Sequence, residues 1–185
     1  GEPPGDFDVA DPDTTGQVMQ FRVVPATSPD TSTPPDQLVL PAPPPLPPAT
    51  TTRQVSLNEE DSRTVRVSTD KHGNVVLDCA KGEPFGPRFA LLGTVADGAG
   101  ASLRWDDPIS FFTATATTEI WEMYNFTEDA HPIHIHEVQF QVVNRQPFDG
   151  AARPPESWET GFKDTVIAYP GEITRIKALF DLPGL

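Results

Sequence analysis

The sequence predicts an all-β fold, a Greek-key β-sandwich over residues 53–185 preceded by a proline-rich interdomain linker. Three observations carry this. From Arg53 onward the chain is a series of short segments rich in Val, Ile, Thr and aromatic residues. Turn signals such as Lys71-His-Gly-Asn74, Asp97-Gly-Ala-Gly100 and Pro170-Gly171 separate them, and short strands at such spacing read as a sandwich or barrel. Proline, 22 in all with many before residue 50, marks the N-terminal part as chain that neither helix nor sheet interior can absorb.

Taken in order, residues 1–16 are acidic, rich in Pro and Gly and without periodicity, so they read as an exposed loop. Residues 17–24 (QVMQFRVV) alternate weakly and predict a strand, with Val18, Gln20, Arg22 and Val24 on one side. A lone strand cannot bury its apolar face, so residues 1–28 are expected to close a preceding domain. Residues 29–52 include LPAPPPLPPATTT and read as an extended, partly polyproline linker. The final domain, 53–185, holds the strand candidates 53–60, 63–70, 74–80, 102–107, 118–126, 138–145, 164–169 and 172–181. Between them, Pro84–Gly93 is the one stretch open to a helical turn. A further strand is expected after Asp181-Leu-Pro-Gly184, which leaves the sandwich incomplete at its C-terminus.

Charge excludes some partners. The formal net charge is −14, and residues 1–61 hold ten acidic residues against Arg22 and Arg53. Such a chain has no basic footprint for nucleic acid or an anionic membrane surface. No apolar run reaches membrane-spanning length. Cys79 is the only cysteine, so no internal disulfide forms and the redox compartment stays open.

The chemistry concentrates in residues 125–145, NFTEDAHPIHIHEVQFQVVNR, which contain three of the four histidines: His131, His134 and His136. Imidazole is the commonest transition-metal side-chain ligand near neutral pH. Side chains alternate across a strand, so His134 and His136 share one face. His131 has the opposite parity, and Pro132 keeps it extended at the mouth of the strand containing Val138–Val143. Two imidazoles pointing one way and one the other suit two adjacent metal centres better than a single three-histidine site. The other polar and aromatic features read as structure. His72 and the Asp106-Asp107 pair fall in turns, Cys79 reads as a buried small hydrophobe, and Trp105, Trp121, Tyr124 and Phe140 read as core. Asn125-Phe-Thr127 fits a glycosylation sequon, but its place beside a metal site argues that the match is accidental.

TEIWEMYNFTEDAHPIHIHEVQFQVVNRQPFDG, followed by WETGFKDTVIAYPGEITRIKALFDLPG, resembles the C-terminal cupredoxin domain of three-domain multicopper oxidases, in the group of bacterial spore-coat laccases and bilirubin oxidases. The likeness covers residues 86–185, and the 17–52 region resembles the passage from the middle to the last domain. It implies that His131 ligates a type 1 (blue) copper, His134 the type 2 copper and His136 a type 3 copper of a trinuclear cluster. Trp158, Glu159 and Lys163 lie in a loop and strand start that resemble family segments near the blue site, and they read either as shaping a substrate pocket or as simple loop packing. The family's His-Cys-His run with its axial Met is expected a few residues beyond Gly184, and its two first-domain His-x-His motifs are not in this chain. Copper sites are therefore expected to be completed by the rest of the same enzyme or by another copy.

The parent is thus expected to be a laccase-type oxidase. It would couple one-electron oxidation of phenolic, aromatic or tetrapyrrole-like donors to four-electron reduction of dioxygen to water, with this fragment inactive alone. The resemblance suggests a secreted, cell-surface or spore-associated protein and leaves a cytoplasmic one open. One alternative is a mononuclear metal-binding cupin-like β-barrel. That reading needs a Glu ligand and a later His, yet Glu137 adjoins His136 and faces away, and no His follows residue 136. A non-catalytic cupredoxin module is another, separated from the enzyme by the copper content of the intact protein.

Overall fold

The computed structural model describes residues 13, 16 and 19–182. The chain divides into two units, Gly1–Pro41 and Ala42–Leu185. In the first unit, residues 19–24 are exposed and form no strand, contrary to the alternation pattern. Among the described residues of that unit no second strand offers to pair with their N–H and C=O groups, and weak alternation alone cannot hold a strand. Positions 17 and 18 of that expected strand, and all but two of residues 1–16, lie outside the described residues. Among the described residues of this unit the regular element is a 3-10 turn at Pro35–Gln37, set by Pro35 in its first position and closed by Gln37 N–H donating to Pro34 O at 2.9 Å.

The second unit is built from β1 (Thr51–Glu60), β2 (Arg66–Thr69), β3 (Val75–Leu77), β4 (Glu83–Pro84), β5 (Phe89–Ala96), β6 (Ala99–Ser102), β7 (Thr117–Asn125), β8 (His131–His134), β9 (Phe140–Pro147), β10 (Phe162–Lys163), β11 (Thr165–Ala168) and β12 (Glu172–Phe180). A single 3-10 turn, Ser157–Glu159, is its helical content among the described residues. A seven-stranded sheet runs β10-β9-β12-β7-β1-β5-β6, beside a two-stranded sheet β11-β8 and a three-stranded sheet β3-β2-β4. β1 is parallel to β7 while the other pairings are antiparallel. The all-β prediction is met.

The core lies between the large sheet and the β8–β11 pair. Met123, Phe140, Val142, Ile176 and Ala178 from the large sheet meet Val138 and Val166, with Trp121, Ile133, Ile135 and Phe180 packed around them. β1, flanked by β7 and β5, is buried on both faces. Val55 and Leu57 fill the apolar side, and Ser56 and Asn58 satisfy each other and the backbone on the other, Ser56 Oγ donating to Thr94 O and Asn58 Nδ2 to Ser56 Oγ, both at 2.9 Å. Residues 42–49 have no regular structure, and their carbonyls serve as anchors. Gln141 Nε2 donates to Pro44 O at 3.2 Å and Lys177 Nζ to Leu46 O at 3.1 Å. Proline has no N–H but keeps its acceptor, so side chains of β9 and β12 hold this run where a ladder cannot. β1 begins at Thr51, within the expected linker.

Four local expectations are corrected. Pro84–Gly93 has no helical turn, because Phe89–Gly93 pairs with Ser56–Glu60 as part of β5. Trp105 is 99% exposed, sitting in the Asp106-Asp107 turn that projects from the sheets. Cys79 is exposed in the turn after β3, not buried. Finally, the histidine cluster is not the mouth of a strand over 138–143. His131–His134 form their own strand in another sheet, and the chain bends at His136 and Glu137, whose φ of 67° ends the extended run before β9.

Candidate metal centre

β8 pairs antiparallel with β11, placing His131 opposite Ala168 and His134 opposite Thr165. Ile133 and Ile135 pack against the core, which turns His134 and His136 outward. Their rings lie side by side, 5.1 Å between centroids, and both residues are exposed. His134 Nδ1 is 2.7 Å from Asp164 O, an oxygen that can only accept. Nδ1 therefore carries the proton and Nε2 keeps its lone pair for a metal. A histidine ligand whose other N–H is held by a carbonyl is the usual arrangement at metal sites. His136 has no hydrogen bond to its ring among the described residues, so both nitrogens are open.

His131 sits apart from that pair, half-buried, in a cavity of about 190 Å³ lined with Leu57, Asn58, Leu91, Thr127 and Ile133. Its Nε2 is 2.7 Å from Thr127 Oγ1 and 3.8 Å from Glu59 Oε1. No Nδ1 contact competes among the described residues, so that nitrogen is the one presented. Parity is thus preserved through the bend. Among the described residues, no three His, Cys, Asp or Glu side chains converge on one point.

The other predicted site residues are placed differently from one another. Glu159 is buried in an ion pair with Arg145, also bonds back to the Glu156 N–H at 2.9 Å, and so closes the 3-10 turn. The Arg145 guanidinium beside it holds its carboxyl below the ordinary range, against the opposing effect of burial. Trp158 is 67% exposed. Lys163 Nζ donates to Thr160 O at 3.1 Å. Among the described residues no hydrogen bond or ring contact joins any of the three to the histidines, although Lys163 directly precedes Asp164, whose carbonyl orients His134. The residues that surround His131 most closely, Thr127 and Glu59, were not legible beforehand. Glu59 comes from β1, far away in sequence, and Thr127 was hidden inside the sequon-like Asn125-Phe-Thr127.

A family model described as multicopper oxidase matches residues 92–185. The chain belongs to the multicopper oxidase family. It is 43% identical over 90 residues to a laccase of Bacillus subtilis, an alignment covering 42% of this chain and 18% of that protein. It is 31% identical over 182 residues to a laccase of Bacillus stratosphericus, covering 91% of this chain and 30% of the relative. A laccase of Haloferax volcanii is 33% identical over 169 residues, covering 89% and 24%. This multicopper oxidase chain therefore spans between 18% and 30% of the length of these curated relatives. The histidine strand β8 and the strands β6–β12 lie within the residues matched by the family model.

Proposed function

We propose that this chain contributes copper ligands to a laccase-type oxidase that oxidises phenolic, aromatic-amine or tetrapyrrole-like donors one electron at a time and reduces dioxygen to water. The observation that carries this is the pairing of open nitrogens. His134 Nε2 is free because Asp164 O holds Nδ1, and His136 stands beside it. His131 is held by Thr127 at Nε2 and offers Nδ1 separately. Neutral imidazoles with a fixed far N–H fit copper as a ligand set. Bound copper would supply the one-electron chemistry that matches such donors to a four-electron acceptor.

In this reading His131 serves a type 1 site, His134 a type 2 site and His136 a type 3 site. The remaining ligands come from other parts of the same enzyme or from another copy, since Cys79 lies exposed on the β2–β4 side of the fold, after β3. Each residue has a definable task. Ile133 and Ile135 anchor β8 to the core, so the outward pair is held rigidly. Asp164 fixes the His134 tautomer. Trp158, exposed and rigidly carried on a capped turn beside the buried Glu159, is available to an aromatic donor.

The test is made in the intact parent enzyme. His131→Ala is expected to abolish the intense blue absorption while the trinuclear copper stays largely in place. His134→Ala or His136→Ala is expected to keep the blue band and lose oxygen reduction. Absorption spectra, copper content and oxygen uptake read the difference, and a His131→Ala enzyme that stays blue would overturn the assignment.

A further inference from the structure

The sequon-like Asn125-Phe-Thr127 is not a surface feature. Asn125 is fully buried and Thr127 is 6% exposed. Asn125 Nδ2 donates to Asp129 O at 2.8 Å and to Ala168 O at 3.0 Å. With both amide protons spent on carbonyls, Oδ1 must face the other way, and there it accepts from Thr127 N at 2.9 Å and Thr127 Oγ1 at 2.7 Å.

That arrangement decides where one proton lies on His131. The Thr127 hydroxyl has a single hydrogen. Asn125 Oδ1, 2.7 Å away, is an acceptor only, and two acceptor oxygens that close repel unless a hydrogen lies between them. The hydrogen therefore goes to Asn125 Oδ1, with Asp129 O at 3.1 Å the other acceptor in reach. Of the two lone pairs left on Thr127 Oγ1, one accepts from Asp129 N–H at 3.3 Å and the other faces His131 Nε2 at 2.7 Å, which must be the donor. Glu59 Oε1, 3.8 Å from the same nitrogen, is also an acceptor and favours the same tautomer. Asn125 further ties this bracket to Ala168, the residue paired with His131 across β8 and β11.

We infer that Asn125 and Thr127 are positioning residues that lock His131 as its Nε2–H tautomer, turn Nδ1 toward the metal, and tune the potential of the copper it binds. This rests on the reading of His131 as a copper ligand. An acceptor on the far N–H makes the imidazole a stronger donor, and that favours Cu(II) over Cu(I). Removing the hydroxyl without changing the side chain's shape weakens that preference about tenfold, which raises the one-electron potential by about 59 mV.

The experiment uses the copper-loaded parent enzyme with Thr127→Val and Thr127→Ser. Thr127→Val is expected to keep its blue band and show the higher potential in a mediator titration, and Thr127→Ser to return it to the wild-type value. A blue Thr127→Val enzyme with unchanged potential overturns the inference. A merely structural role for Thr127 would not give a rise that serine reverses. Should Thr127→Val fail to fold, the wild-type copper-free enzyme labelled with 15N-histidine decides the matter. His131 is expected to carry its proton on Nε2 with Nδ1 bare, and a proton on Nδ1 overturns the inference. His131→Ala distinguishes the two levels. If that variant stays blue, the ligand assignment and this inference both fall; if it loses the blue band while Thr127→Val leaves the potential unmoved, only this inference falls.

Discussion

Arg145 has no solvent exposure, and its guanidinium is occupied on several sides. Nε donates to Glu159 Oε2 at 3.0 Å, Nη2 to Glu159 Oε1 and to Ile167 O at 2.8 Å, and Nη1 to Thr174 Oγ1 at 3.1 Å. The Tyr169 ring lies 4.6 Å from its central carbon. One side chain thereby joins β9, β11, β12 and the 3-10 turn that carries Trp158. Removing Glu159 would leave a buried cation with only Glu172, 3.8 Å away, as partial compensation. Glu159→Ala is expected to destabilise the protein by about 3 kcal/mol, the low end for breaking a buried pair, read as a fall in the denaturant midpoint. A change within experimental error would mean that Glu172 takes over fully. The sequence offered Glu159 as a pocket candidate, and the structure gives it Arg145 as its partner instead. The sequence marks a carboxylate in a loop, and only the fold brings Arg145 to it.

Arg145 faces inward because of an irregularity one residue long. β9 pairs with β12 through Asn144↔Arg175 on one side of the break and Val142↔Ile176 on the other, so Val143 is the extra residue. Phe140 and Val142 point into the core, and after the bulge Arg145 does, where strict alternation would have sent Asn144. A bulge re-aims every side chain beyond it. No residue in VQFQVVNR announces it. β5 and β6 show the opposite case, in which a glycine is required by close approach. A Cβ on Gly93 would lie 2.1 Å from Ala101 O and 2.8 Å from Asn58 Nδ2. Gly93→Ala must therefore push β6 away or disturb the Ser56–Asn58 pair in β1, and it is expected to cost about 1–3 kcal/mol. A thermal melt of the variant equal to that of the wild type would contradict the strand spacing described for β5 and β6.

Across the whole second unit, the ion pairs follow a common logic in a chain of net charge −14. Glu119 is held below its ordinary pKa by its hydrogen bond from Arg53, at 2.5 Å, against burial. Burial acts most strongly on Glu122 and pushes its pKa up, yet the hydrogen bonds from Arg175 and Gln54 outweigh it and leave the carboxyl lowered. Glu159 is lowered by Arg145. A carboxyl with a depressed folded-state pKa binds protons less readily than in the unfolded chain. Its stabilisation is therefore complete above the unfolded value, roughly 4.3, and is lost as pH falls through the lower folded values. Thermal midpoints are expected to be level from neutral pH down to about 5 and to drop below that. Glu122→Gln should flatten part of the acid drop. If the acid slope of that variant matched the wild type, the Glu122–Arg175 pair would have no part in the acid response.

The residues by themselves determined the class of the fold and singled out one candidate metal strand. Short β-branched and aromatic segments between turns can bury their surface only as stacked sheets, and three histidines within six residues single out one strand as the candidate for metal binding wherever that strand lies. Alternation also placed His134 and His136 together and His131 apart, because it depends on local geometry alone. Tertiary structure decided the rest. Which sheet β8 joins, which carbonyl fixes the His134 tautomer, and which hydroxyl takes the proton of His131 depend on partners distant in sequence or on a loop conformation. Such partners leave no periodic signal, since a hydrogen bond depends on ångström-scale placement that only the packed strands can set.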